Sequence, residues 1–254
     1  MVHTDSEQIH DSRTRFARET AQHELTIIHD DGPFRHLRFA RPGSSGYWVE
    51  ITTVPGALVF RGDGDTWTFA RTEDMFAFFR GDGGSINPQY WAEKITDGRD
   101  RARHYDEDAF RRVVLEEFSE RLVDGEIPLD RAGEALTRLA RGVLDDETVA
   151  DEAEARAALE RFEFPVGGVA GSVARFADTW EWDFTRWDWW YLWACHAIVH
   201  VIKLYDQAKA CPECQGECGT HNTTVIADTN GGTASRRSCD PKATVTVATT
   251  GDLL

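Results

Sequence analysis

Residues 24–80 alternate between short runs of sheet-forming residues and turns rich in glycine, aspartate and proline, and this alternation constrains the fold more than any other feature of the chain. His29-Asp30-Asp31-Gly32 reads as a turn, Phe34 to Ala40 as a strand, and Gly46 to Thr53 as a second strand. Pro55-Gly56 then turns into Ala57 to Arg61, and Gly62-Asp63-Gly64-Asp65 turns into Thr66 to Ala70. Tyr47, Val49 and Ile51 alternate with Trp48, Glu50 and Thr52, the period of a sheet with two unlike faces. Leu58 with Phe60, and Trp67 with Phe69, repeat that period. Connections this short join antiparallel neighbours, because a parallel crossover needs about a dozen residues or more. Glu73 to Arg80 closes the block as a helix.

Helical patterns dominate the remainder. Asp5 to Gln22 carries a thin apolar stripe of Ile9, Phe16 and Ala17, and Asn87-Pro88 opens a short helix through Trp91 and Ile95. Asp106 is placed to cap a helix over Glu107 to Val123, where Phe110, Val114, Phe118 and Leu122 recur every fourth residue. Further helices are expected over Asp130 to Arg141, Asp146 to Phe162, and from about Trp187 to Ala208. Within the last of these, Trp189 to Ile202 is apolar except for His196 and His200. That run is shorter than the roughly 20 residues needed to span a bilayer, so it reads as a core helix. The predicted fold is α+β. A small antiparallel sheet at about residues 24–70 packs on helices supplied mainly by residues 106–208, forming one domain over residues 1–208. From Cys211 the composition shifts sharply to Thr, Ala, Gly and Ser, which marks residues 209–254 as a Cys/Thr/Gly-rich tail, either zinc-binding or disordered.

A formal net charge of −16 disfavours attraction to nucleic-acid phosphates, and no run of Lys and Arg announces a basic patch. Direct nucleic-acid binding is therefore not expected. The polar stretch from Met1 to Gln22 has no apolar segment of the kind a secretory signal needs. Four of the five cysteines follow Ala210, so no disulfide framework is expected for the main domain. These features point to a cytoplasmic location away from the membrane.

Three groups of residues carry candidate chemistry. Cys211 and Cys214 form a C-x2-C pair, and Cys218 and His221 complete a tetrahedral set for a structural zinc ion, with Cys239 able to replace either later ligand. Unpaired thiols in a loose tail are the competing reading. His196 and His200 lie four apart on one helical face, but Ala197 stands where a zinc-protease helix has its glutamate, so core or interface histidines are favoured. Residues 145–163 hold eight carboxylates against Arg156 and Arg161. Asp145, Asp146, Glu147, Asp151, Glu152 and Glu154 of this stretch form a candidate partner-binding ridge, the plainer reading being a solvated helix face. Six of the nine tryptophans fall between Trp180 and Trp193, where a buried aromatic anchor is favoured over a binding surface. No Walker loop, dinucleotide fingerprint or nucleophile elbow is present.

The order of short words along residues 24–208 resembles a family of proteins encoded by tailed bacteriophages and prophages. The resemblance rests on His23-Glu24-Leu25-Thr26, His29-Asp30-Asp31-Gly32, Arg35-His36-Leu37-Arg38, Arg41-Pro42-Gly43 and Ile51-Thr52-Thr53-Val54-Pro55-Gly56. It continues through Gly62-Asp63, Phe69 to Phe79, Ile86-Asn87-Pro88-Gln89-Tyr90-Trp91 and Leu204-Tyr205-Asp206-Gln207. Val54 departs from it, since the family has Trp before this Pro-Gly. The resemblance implies a phage accessory protein in the cytoplasm of an infected bacterium and supplies no catalytic mechanism. The leading expectation is an acidic interaction protein that binds, and inhibits, a host defence or nucleic-acid-processing protein. One alternative is an enzyme for a small nucleotide or nucleic-acid substrate, with a pocket gathering His29, His36, His104 or the His196/His200 pair. The other is a virion-associated structural component.

Overall fold

The computed structural model describes residues 4–81, 83–166, 172–209, 223–227 and 233–237. The protein is α+β. In chain order, helix α1 (Asp5–Glu19) precedes an antiparallel meander of β1 (Glu24–Asp31), β2 (Phe34–Ala40), β3 (Val49–Val54), β4 (Ala57–Gly62) and β5 (Trp67–Ala70). Short helices α2 (Met75–Arg80) and α3 (Pro88–Ala92) follow, then β6 (Arg103–Tyr105), α4 (Glu107–Val123), α5 (Ala132–Gly142), α6 (Asp146–Val149) and α7 (Glu152–Arg161). The chain continues through β7 (Phe164–Pro165), β8 (Val173–Ala174), β9 (Thr185–Trp187) and the long helix α8 (Trp189–Lys209). Strands β10 (Thr223–Ala227) and β11 (Thr233–Arg237) extend the sheet beyond β1, giving the order β11-β10-β1-β2-β3-β4-β5.

Two boundaries of the meander differ from the sequence reading. His29 to Asp31 belong to β1, and the turn falls later, at Gly32-Pro33, where Gly32 has φ +58°. A bulge between Ile27 and His29 is the cause: it restores pairing so that Asp30 meets Arg35 and Asp31 meets Phe34. Strand β3 starts at Val49 because Tyr47 sits at φ 56°, a left-handed conformation that breaks the extended run before Trp48.

The chain divides into two compact units: residues 1–5 with 103–187, and residues 6–102 with 188–254. In the second unit, one face of the sheet is apolar. Leu37, Phe39, Ile51, Leu58, Phe60, Trp67 and Phe69 are all fully buried, and the unit's core is completed by Phe16 of α1, Phe76 and Phe79 of α2, Trp91 of α3 and most of α8. Trp190 and Trp193 stack 4.7 Å apart at 11°, Trp193 meets the edge of Phe16, and Trp67 meets the edge of Tyr191. The Gly62-Asp63-Gly64-Asp65 turn lies against the Trp190 indole, whose Nε1 donates to the Asp65 carbonyl at 2.9 Å.

The unit built from residues 103–187 has its own core. Phe110, Val114 and Phe118 of α4 cluster with Leu139 of α5, Leu159 of α7, Phe164 and Phe184. The four-residue stripe on α4 is therefore core-facing, as its period implies, but it serves this helical core. Within its unit, the sheet is covered by α1, α2, α3 and α8. Among the described residues no helix is long and apolar enough to cross a membrane.

Candidate functional site

The acidic stretch folds into two short helices whose first residues do structural work. Asp145 caps α6 by accepting from the Thr148 amide at 3.2 Å, and hydrogen bonds from the Thr148 side chain and backbone hold its carboxyl below the usual value. Asp151 caps α7 by accepting from the amides of Ala153 at 2.9 Å and Glu154 at 3.0 Å. Glu152 pairs with Arg156 at 2.9 Å, and Glu163 pairs with Arg175. Glu147, Glu154 and Glu160 are exposed and, among the described residues, have no ion pair. The side chain of Asp146 lies outside the described set. Of the six predicted ridge residues, two are thus committed to caps and one to a salt bridge. Glu147 and Glu154 remain free, joined by Glu160.

Arg156 gives this acidic surface its second element. Its Nε donates to Glu152, its two terminal nitrogens reach the Thr179 and Trp182 carbonyls at 3.4 and 3.5 Å, and its guanidinium lies 4.5 Å from the Phe184 ring centre. The 3-10 turn Thr179–Glu181 is thereby fixed beside α7, and it presents Trp180 with 74% of its surface exposed. An indole this exposed is unusual, because a large apolar ring normally finds cover. Sequence reading grouped Trp180 with the buried tryptophans. Its flanking Asp178, Thr179 and Glu181, which offer no apolar stripe, were the available signal.

A second polar centre, in the other unit, links one end of the sheet to two helices. Arg35, only 8% exposed, donates to both Asp74 oxygens at 2.9 and 3.2 Å, and Asp74 also caps α2 through the Phe76 amide at 2.9 Å. Asp30 accepts from the Tyr205 hydroxyl and from Lys209, each at 2.8 Å, and Arg80 forms a paired contact with Asp206. Burial pushes the Asp30 and Asp74 carboxyls up, but the hydrogen bonds from Lys209 and Tyr205, and from Arg35 and Phe76, outweigh it and leave both below the usual carboxylate value. Every charge here is matched. Asp30, Arg35, Asp74, Tyr205 and Asp206 all fall within short words singled out in the sequence, and at this point those words encode a fold framework.

The candidate histidines separate. His196 Nε2 faces the Ser12 hydroxyl at 3.0 Å and the Ile9 carbonyl at 3.3 Å, and since a carbonyl only accepts, Nε2 carries the proton. His200 packs on the rings of Phe16 and Phe39. Burial lowers both imidazoles to about 4. His29 is exposed on β1, His36 lies 3.5 Å from Glu50, and His104 is exposed on β6 in the other unit. Cys195, whose thiol burial pushes up, is enclosed in α8. No set of three or more metal-ligating side chains gathers among the described residues, and Cys211, Cys214, Cys218, His221 and Cys239 lie outside them. Comparison with known protein families, curated proteins and solved structures finds no match to this chain.

Proposed function

We propose that this is an interaction protein that recognises a basic face of another protein through the surface formed by α6, α7 and the turn bearing Trp180. The observation that carries the reading is Trp180 itself: an indole 74% exposed, on a turn that Arg156 anchors beside a helix with unpaired carboxylates. Tryptophan is among the residues that most often anchor interfaces, and unpaired carboxylates on the adjoining helices select the sign of the partner and raise its capture rate. The chain's net charge of −16 has the same sign and adds to the bias at low ionic strength, where screening is weak. The phage resemblance supports a host defence or nucleic-acid-processing protein as the target and the cytoplasm of an infected bacterium as the place. Structural zinc held by Cys211, Cys214, Cys218 and His221 remains part of this proposal for the tail.

The test is an affinity capture from lysate of the bacterial host at low and high salt, read by mass spectrometry. One dominant partner is expected, weakened by salt. Trp180→Ala should weaken it by about 2 kcal/mol, close to thirtyfold, and the triple change of Glu147, Glu154 and Glu160 to Gln should slow association. Absence of any specific partner, or a partner indifferent to both variants, would sink the reading.

A further inference from the structure

The face of the sheet turned away from the apolar core bears a second assembly. Pairing across the meander sets Thr26, Arg38, Glu50 and Arg61 in one row, and His29, His36, Thr52, Val59 and Thr68 in the next. Glu50 is 8% exposed and accepts from Arg38 at 2.6 Å through one oxygen and from Arg61 at 2.9 Å through the other. The same two guanidinium groups lie 5.1 and 5.5 Å from the ring of Trp48. One sunken carboxylate thus orients two arginines around one indole. Each guanidinium has five N–H donors and gives Glu50 a single one, so most of its fork remains for a ligand. The side chains of Arg38 and Arg61 are 42% and 58% exposed, and Phe34 on β2 and Ile28 on β1 are exposed as well.

We propose that this open sheet face binds single-stranded nucleic acid, with Trp48 stacking on a base and Arg38 and Arg61 holding the adjoining phosphates. The ligand must combine a flat ring with anionic oxygens, because that is what an indole between two oriented guanidinium groups recognises. A sheet face with upright aromatic and basic side chains meets unstacked bases, whereas a duplex hides its base faces. The chain's overall acidity does not forbid this. Charges beyond about 8 Å are largely screened at physiological salt, and at the centre of the patch two guanidinium groups face one carboxylate. Of the other acids near this face, Asp63 is held beside Trp48 by the Tyr47 amide, which donates to it at 2.6 Å, Glu24 lies two strands from Trp48, about 10 Å away by strand spacing, and Asp31 pairs with Phe34 at the opposite end. No sequence run announced the patch because Arg38, Trp48 and Arg61 come from separate strands or their flanks.

The test uses the full chain and a fluorescein-labelled thymidine oligonucleotide of about 12 nucleotides, a length suited to one sheet platform, read by anisotropy at about 50 and 200 mM salt. Binding that weakens with salt is expected, with the matching duplex bound more weakly. Trp48→Ala should raise Kd about tenfold and Trp48→Phe should recover most of it, while Arg61→Ala should reduce the salt slope by about one. Melting curves establish that each variant is folded, and Arg61 is exposed enough to be replaced without disturbing the core. No binding at the lower salt, equal affinity for duplex, or an affinity unchanged in both Trp48→Ala and Arg61→Ala would overturn the proposal. A loss with Arg61→Ala but not Trp48→Ala would point to capture of a protein carboxylate and overturn it as well. Trp180→Ala should leave this binding unchanged, so its outcome is separable from that of the acidic surface.

Discussion

Burial is the main force lowering the imidazoles of His196 and His200 to about 4, and Arg13 and Lys203 push in the same direction. Both groups bind protons more readily once the chain unfolds, with an ordinary value near 6.5. Their contribution to stability is therefore complete above about pH 6.5 and is lost progressively as the pH falls toward 4, at roughly 3 kcal/mol for each group. Two such losses rival the whole stability of a typical domain. Urea unfolding between pH 7.5 and 4.5 should show a falling midpoint, with His200→Phe flattening the dependence, and a midpoint insensitive to pH would refute this account. The helical spacing of the two histidines was legible in the sequence. Their partners were not, because Ser12 and Phe16 come from a helix some 180 residues away along the chain, and no local pattern encodes that encounter.

At the scale of elements, the glycines of the β4–β5 turn are set by a helix far away in sequence. A Cβ added to Gly64 would fall 2.6 Å from the Trp190 ring, and one added to Gly62 would fall 2.5 Å from the Trp48 carbonyl. Gly64→Ala should displace the indole and cost about 1–3 kcal/mol, with a matching change in tryptophan fluorescence, whereas Gly133→Ala, where an added Cβ meets no atom, should leave the fluorescence unaltered. Sequence alone identified the turn from its composition but gave no reason for glycine at those places. The strands were legible for the opposite reason: a period of two and short connections leave little choice of pairing. The missed limits of β1 and β3 came from a bulge at Ile28 and a left-handed Tyr47, neither of which disturbs composition. In the acidic helices, charge counting found the segment but did not separate capping carboxylates from free ones. That distinction depends on which residue begins each helix, so Asp151 and Glu154, three apart, have unlike roles.

For the molecule as a whole, the apolar stripe on α4 showed that a core lies beneath it but not which one. The chain closes two cores, and residues 103–187 return beside their starting point through the pairing of Arg103 with Trp187. Those residues made alone should unfold cooperatively on heating, with Phe110→Ala abolishing the transition or lowering its midpoint by many degrees. A broad, non-cooperative melt of the unmutated segment would contradict an independent core. The same insertion has a consequence for biosynthesis. The β1–β5 meander emerges from the ribosome well before α8, which completes its apolar cover. The nascent meander must therefore wait, part of its apolar face bare, while the interrupting segment is translated, and exposed apolar surface of that kind is what makes a partly made chain prone to aggregate.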